Sequence, residues 1–500
     1  MDFGFLFTSI APVFAPDNLL LILMGALGGV LIGSIPGLTS TMGIALLIPF
    51  TYGLSIVSSM GMLLGIFCGA MYGGSIASIL IKTPGTPAAA ATVLDGYPMG
   101  QKGEAGRALS IALFSSFVGG IIGALLMTFL SPVISRMALK FGPAEFFTLA
   151  VFGLSVIISI SGKSIVKGLI SGFFGLLIAT VGMDKACAYL RFTRLEGFYE
   201  GIPFIPALIG LFALSEVYAN IENIMKGQKV TAKISGVLPG WQDIKTISRA
   251  IISGGLIGTF IGAIPGAGGD IAAFVSYSEA KRSSKHPEKF GTGVPEGIAA
   301  AESANNACSG GAMIPMLTLG VPGDSNTAVL IGAFILQGFQ PGPMMYVEHL
   351  DIIYAVFASM IVANFAFLIV GMCGVKLFAK VISLERKLLI PAIMVLSLVG
   401  SYAMNRNMFD VYFAIIMGVV GYLFQKYEFP LSPVLLALIL GPMSESNLRR
   451  FMLIDNGQFW RIFTKPICAI FLLLALGSII ASVRNQRRIN KRVAESGGGN

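Results

Sequence analysis

Apolar runs of near membrane-spanning length recur along almost the whole chain, separated by short polar connections. A spanning helix needs about 20 mostly apolar residues. Runs of this character cover Leu19–Ile35, Gly61–Ile81, Ala108–Leu130, Phe146–Ile160, Ile165–Val181 and Ile202–Leu214. They resume at Ile251–Ile264, Ile352–Val375, Leu388–Tyr402, Val411–Phe424, Leu431–Leu440 and Pro466–Val483. Several are too short to span unaided, which predicts a mixture of full spans and half-helices. The expected fold class is an all-α polytopic membrane protein with about 10–14 membrane segments.

The pattern repeats. Gly25-Ala-Leu-Gly-Gly29-Val-Leu-Ile-Gly33-Ser-Ile-Pro36-Gly37 matches Gly254-Gly-Leu-Ile-Gly258-Thr-Phe-Ile-Gly262-Ala-Ile-Pro265-Gly266, with glycine at the same spacing. Further on, Tyr72-Gly-Gly-Ser75 followed by Thr83-Pro84-Gly85-Thr86 has a looser partner in Ser309-Gly-Gly-Ala312 followed by Val321-Pro322-Gly323-Asp324, once a one-residue gap is allowed. Order and spacing together argue for an internal duplication.

Loop charges orient the copies. Gln101–Arg107, after the first copy's second Pro-Gly, is basic, whereas the corresponding Met344–Asp351 is acidic. Thr51–Met60 carries no charge, whereas its counterpart Lys281–Lys289 is strongly basic. Lys and Arg concentrate in cytoplasmic loops, so equivalent loops are expected on opposite sides of the membrane, the mark of an inverted-topology repeat. The basic stretches Arg136–Lys140 and Lys376–Lys387 do not discriminate. The expected organisation is a first repeat over 1–220, a polar cytoplasmic linker over 221–247, a second repeat over 248–483 and a basic tail over 484–500. Within the linker stand Lys226, Lys229, Lys233 and Lys245; the end Ser496–Asn500 is Gly-rich and expected to be disordered.

Composition agrees and narrows the function classes. The chain is 55% hydrophobic and 12% charged, with a mean hydropathy of +0.82, against about 25% charged residues in soluble domains. Its net charge of +9 reads as topology rather than nucleic-acid affinity. Arg484, Arg487, Arg488, Lys491 and Arg492 follow the last apolar run and place the C-terminus in the cytoplasm. No Lys or Arg precedes Lys82, so no cleavable signal peptide is expected. The five cysteines (Cys68, Cys187, Cys308, Cys373, Cys468) show no CxxC spacing, and His286 and His349 are isolated, so no metal site, disulfide framework or cofactor is expected beyond a transient Na⁺.

The candidate chemistry lies at the four Pro-Gly breaks: Pro36-Gly37, Pro84-Gly85, Pro265-Gly266 and Pro322-Gly323. Proline removes a backbone donor and glycine permits φ > 0, so each pair should end a helix. Backbone groups freed at membrane depth must be buried in protein or line a wet cavity. The residues after each break are helix-capping types: Thr39, Ser40 and Thr41; Thr86; Asp270; and Asp324, Ser325, Asn326 and Thr327. A half-helix beginning there presents free N–H groups and a positive dipole end to a carboxylate, while the half-helix that stops offers carbonyls to Na⁺. The competing reading makes the breaks mere kinks; the Gly25/Gly29/Gly33 and Gly254/Gly258/Gly262 rows are themselves read as packing faces.

Glu302, Asn305 and Asn306 share a helical face within the weakly polar run Gly293–Gly320. They read either as cation or proton ligands or as one side of an amphipathic surface segment. A carboxylate at membrane depth is a functional candidate by default, which also covers Asp270 and Asp324. Asp95, near the Lys102 loop, reads as a solvated cap; Lys82, before Thr83-Pro84-Gly85, either meets a substrate carboxylate or snorkels.

These motifs resemble the large membrane subunit of the tripartite tricarboxylate transporters. The likeness rests on Gly33-Ser-Ile-Pro-Gly-Leu-Thr39, Tyr72-Gly-Gly-Ser75, Pro84-Gly-Thr-Pro87, Asp95-Gly-Tyr-Pro98 and Gly103-Glu-Ala-Gly106. In the second half it rests on Ile264-Pro-Gly-Ala-Gly-Gly-Asp270, Glu296–Asn306 and Gly320-Val-Pro-Gly-Asp324, and it spans about residues 15 to 480 in order. The resemblance implies a secondary active transporter of bacterial inner membranes, working with a small integral membrane subunit and a periplasmic solute-binding protein. It implies uptake of tri- or dicarboxylates or other organic anions with Na⁺ or H⁺, and leaves room for a homodimer; an elevator-like movement follows by analogy with other broken-helix carriers. A self-sufficient symporter is the runner-up, followed by a channel. No HExxH, GxSxG or inward Ser/His pair supports an intramembrane enzyme.

Overall fold

A computed structural model describes residues 3–160, 164–184, 187–222, 238–381 and 386–497. The helices in chain order are α1 (Phe3–Ile10), α2 (Pro16–Ser34), α3 (Ser40–Leu47), α4 (Ile56–Ile81), α5 (Val93–Met99), α6 (Ala105–Ala138), α7 (Pro143–Ile160), α8 (Ile165–Ala179), α9 (Phe204–Leu208) and α10 (Ser215–Glu222). The second half holds α11 (Trp241–Gly262), α12 (Gly268–Ser283), α13 (Pro295–Leu319), α14 (Ser325–Leu336), α15 (Met345–Glu348), α16 (Leu350–Val381), α17 (Arg386–Asn405), α18 (Met408–Lys426), α19 (Ser432–Ile454) and α20 (Pro466–Gly497). A two-residue β-hairpin pairs Gly182–Met183 with Leu190–Arg191. Among the described residues eight helices are long and apolar enough to cross a membrane, so the chain is an all-α multi-pass membrane protein.

All twelve apolar runs of the sequence fall on helices. The spanning-length helix that hydropathy misses is α13, whose weakly polar side chains hid it. It is no amphipathic surface segment: every residue from Gly297 to Thr318 is buried. Residues 223–237, the centre of the expected linker with Lys226, Lys229 and Lys233, lie outside the described residues. On either side α10 ends at Glu222 and α11 begins at Trp241, so Lys245 stands on a helix. The basic stretch from Arg484 continues α20 rather than leaving it, and so do Ser496 and Gly497, two residues of the expected disordered end; 498–500 lie outside the described residues.

Two helix pairs form the centre, and glycine is the physical reason. A Cβ at Gly29 or Gly33 of α2 would collide with the carbonyl of Ile66 or Ala70 on α4; one at Gly258 or Gly262 of α11 would collide with that of Ala304 or Cys308 on α13. The same spacing therefore presses the same kind of helix pair together in both halves. The second motif pairs differently from its sequence reading. Gly73 lies against the Val30 carbonyl and Gly311 against that of Thr259, so Gly73 corresponds to Gly311 and no gap is needed.

The remaining helices cross over. From the first half, α6 packs on α13, while α16 of the second half packs on α4. Likewise α19 packs on α7 and α8, and α9–α10 packs on α17 and α18. Each half thus completes the other's core, and neither has a complete core alone.

Candidate functional site

The four breaks are of two physical kinds. Gly37 (φ 93°) and Gly266 (φ 82°) take the left-handed conformation that turns the chain after a proline. Gly85 and Gly323 instead mark close approach: a Cβ at Gly85 would strike the Gly33 carbonyl, and one at Gly323 would lie 2.7 Å from the Gly262 carbonyl. Pro36 and Pro265 follow the ends of α2 and α11, and the chain through Pro84 and Pro322 is laid back onto those helix ends. The Gly85 N–H donates to the Gly74 carbonyl (3.2 Å), and the Gly266 N–H donates to the Gly323 carbonyl (2.6 Å).

The two breaks of each half touch, and the segments that follow them meet across the halves. At the first junction α3 meets α14. Thr39 caps α3, its Oγ1 accepting the Met42 N–H (3.2 Å). Asp324 caps α14 through a capping box: Oδ1 accepts the Thr327 N–H (2.8 Å), and Thr327 Oγ1 accepts the Asp324 N–H (2.9 Å). Between them, Ser40 and Thr41 each donate 2.8 Å hydrogen bonds to Asn326 Oδ1, and Asn326 Nδ2 donates to Asp324 Oδ2 (3.0 Å). Ser325 Oγ is 2.7 Å from Ser432 Oγ, tying α14 to α19. The first amides of α3 and α14 have no intrahelical acceptor, so two positive helix ends and a set of hydroxyls face one another.

At the second junction the 3-10 turn Pro87–Ala90 meets the start of α12. Here capping differs from the expectation. Thr86 occupies the cap position without a side-chain bond. Asp270 is not a cap: α12 opens at Gly268, and Asp270 lies exposed in its first turn. Asn305 reaches across from α13, donating from Nδ2 to the Met71 carbonyl of α4 (3.1 Å). Its Oδ1, and Thr86 Oγ1, are buried without a hydrogen-bond partner among the described residues.

Glu302 is fully buried one turn before, and accepts from Thr92 Oγ1 and from Ser116 Oγ (2.9 Å), one oxygen each. Asn306 donates to the Glu302 carbonyl (3.2 Å). The shared face predicted for the three residues holds as burial. Lys82 ends α4 with φ 61°, is exposed, and lies 5.6 Å over the Tyr97 ring. It stands apart from both junctions' hydrogen bonds.

Asp95 is the residue the sequence most misplaced. It is no solvated cap but fully buried, accepting from Tyr277 Oη (2.8 Å) and from the N–H groups of Gly291 (2.9 Å), Gly293 (2.7 Å) and Val294 (2.9 Å). It clamps α5 of the first half to the loop before α13. Arg107 pairs with Asp243 (2.5 Å) on α11 and with Glu104 (2.7 Å). Glu216 and Asn220 on α10 also escaped notice. They line a cavity of about 10 Å³ beside Pro36 and Met42, room for one water. The only signal was a carboxylate closing an apolar run, which reads as an interfacial residue.

The family model of the Tripartite tricarboxylate transporter TctA family matches residues 19–436. An Agrobacterium vitis protein described as an uncharacterized 52.8 kDa protein in the TAR-I ttuC' 3'region is 38% identical over 478 residues, covering 94% of this chain and 95% of that one. A second, described as an uncharacterized protein in the TAR-II ttuC' 3'region of the same organism, is 39% identical over 234 residues, covering 46% of this chain and 97% of that one. No solved structure matches. A chain matched over nearly all of its helical core, with its breaks gathered at two junctions, belongs to the tripartite tricarboxylate transporter TctA family.

Proposed function

We propose that the protein takes up a tri- or dicarboxylate across the bacterial inner membrane, coupled to Na⁺ or H⁺, with substrate delivered by a periplasmic binding protein. Family membership makes it a transporter subunit, not an enzyme, and the large subunit of a tripartite system implies a small membrane subunit and a periplasmic binding protein as partners. The observation that carries the substrate reading is the first junction, where α3 and α14 point their N-termini at one another around Ser40, Thr41 and Asn326. Two helix ends with free amides suit a carboxylate group. Glu302, buried among hydroxyls, is the natural proton-carrying candidate, and the second junction the natural cation candidate.

The two halves are proposed to be inverted. Supporting this, Asp95 binds the loop 291–294 at one end, whereas Gln337 Nε2 donates to the Thr51 carbonyl (3.1 Å) and to Ser59 Oγ (2.9 Å) at the other. Each contact pairs the segment after a second break with the loop before the long helix of the other half, as antiparallel copies require. On this topology the basic 100–107 and 281–289 loops share the cytoplasmic side with the C-terminus. A core carrying both junctions that slides against α7–α10 and α17–α20 fits an elevator-like movement.

The test is accumulation of labelled citrate and of C4-dicarboxylates in proteoliposomes under separate Na⁺ and proton gradients, with and without the small subunit and binding protein. Uphill accumulation that requires the binding protein is expected. Accumulation by this chain alone favours the self-sufficient symporter, and flux that never exceeds equilibrium overturns the proposal in favour of a channel.

A further inference from the structure

We infer that the second junction is a binding site for a monovalent cation, with Asn305 Oδ1 and Thr86 Oγ1 as ligands where the Pro87–Ala90 turn packs against α12. The inference rests on the transport reading and deepens it by assigning the coupling ion a place. Asn305 is completely buried, and its amide orientation is set by the bond from Nδ2 to the Met71 carbonyl, since only the NH₂ side can donate. Its Oδ1 is therefore a pure acceptor that finds no donor among the described residues. It faces α12: a Cβ at Gly269 would lie 2.8 Å from Met71 Cε, 2.9 Å from Asn305 Oδ1 and 3.3 Å from the Ala88 Cβ of the turn. Thr86 opens that turn, 1% exposed, its unpartnered hydroxyl against Gly74, one turn along α4 from Met71.

Buried polar atoms are rarely left unpaired, because each costs about 1–3 kcal/mol. An anion cannot satisfy Asn305 Oδ1, since both are acceptors; a cation satisfies it and the threonine oxygen together. Asp270 in the first turn of α12 and Glu302 one turn before Asn305 supply a negative field. The oxygens of Glu302 are already engaged by Thr92 and Ser116, so the several free carboxylates that Ca²⁺ requires are missing from this junction. The geometry matches a singly charged ion held by neutral oxygens. Glycine at 269 is what lets α12 approach Asn305 Oδ1 this closely.

Equilibrium binding of ²²Na⁺ to the purified protein in nanodiscs, without carboxylate, tests this. Saturable binding is expected for the wild type. Asn305→Leu and Thr86→Val should each weaken it at least tenfold, Thr86→Ser should retain it, and Gly269→Ala should abolish it by crowding Asn305 Oδ1 while both oxygens remain. Melting curves identify any variant that fails to fold, and Thr86→Ser against Thr86→Val then separates an oxygen ligand from packing. Unchanged ²²Na⁺ affinity in folded Asn305→Leu and Thr86→Val, or no saturable binding by the wild type, overturns the site. If the wild type accumulates carboxylate under a proton gradient but binds no Na⁺, the site fails and the transport reading stands. If it binds Na⁺ but moves no carboxylate under any gradient, the transport reading fails instead.

Discussion

The two junctions use equivalent segments yet differ in how their polar atoms are satisfied. Where α3 meets α14, Asn326 accepts from two hydroxyls and donates to a capping carboxylate, so the side chains close on themselves and the helix amides remain. Where the Pro87–Ala90 turn meets α12, the cap positions go unused and side-chain oxygens are left over. One junction thus satisfies its side chains among themselves, and the other leaves two buried side-chain oxygens without a partner among the described residues. On the reading proposed above, the first suits an anion and the second a cation.

The largest expected effect tests what the junctions share. Gly85→Ala and Gly323→Ala each place a Cβ against the backbone of the preceding helix end. Both should destabilise by about 3 kcal/mol or more, read as loss of monodisperse protein and a lowered melting temperature. If only one does, the junctions are not equivalent in packing.

Asn326→Asp sets a fixed negative charge between Ser40 and Thr41 without changing volume. Carboxylate uptake should fall at least a hundredfold, about 3 kcal/mol, while ²²Na⁺ binding stays within threefold. Retained uptake would remove the first junction as the anion end.

Asp95→Ala leaves three loop N–H groups and Tyr277 Oη without their acceptor, at about 2–3 kcal/mol in total after relaxation. Melting should drop, and the second junction, which lies just before α5, should lose Na⁺ affinity more than carboxylate affinity. Equal losses at both ends would show that Asp95 supports the fold at large.

Thr39→Ala removes the α3 cap and should cost about 1 kcal/mol, seen as a roughly fivefold rise in KM for carboxylate. Last, Lys82→Ala should change uptake less than twofold, because the ammonium is exposed and outside both junctions. A tenfold loss would restore Lys82 to the substrate site.

Much of this was legible in order and spacing. The Gly25/Gly29/Gly33 and Gly254/Gly258/Gly262 rows read as packing faces and are packing faces, because a glycine row every four residues has little other use in a helix. Thr39 and Asp324 read as caps and are caps, since capping is decided within four residues. Asp270 failed as a cap because Gly268 lets α12 begin earlier, and Thr86 because its hydroxyl is turned onto Gly74. Asp95 was out of reach of local reasoning: the N–H groups that bury it lie about two hundred residues away in sequence. Each junction draws one segment from each half: Ser40 and Thr41 with Asn326, and the Pro87–Ala90 turn with α12.

The sequence by itself determined that the chain is a multi-pass helical membrane protein, that a glycine row ending in Ile-Pro-Gly recurs, and where its helices break, because hydropathy, glycine rows and proline act over a few turns. Only the tertiary structure decided which break faces which, which polar atoms are left over, and that α13 is buried throughout. Those outcomes depend on contacts between distant helices, and a partner's identity is written in neither segment alone.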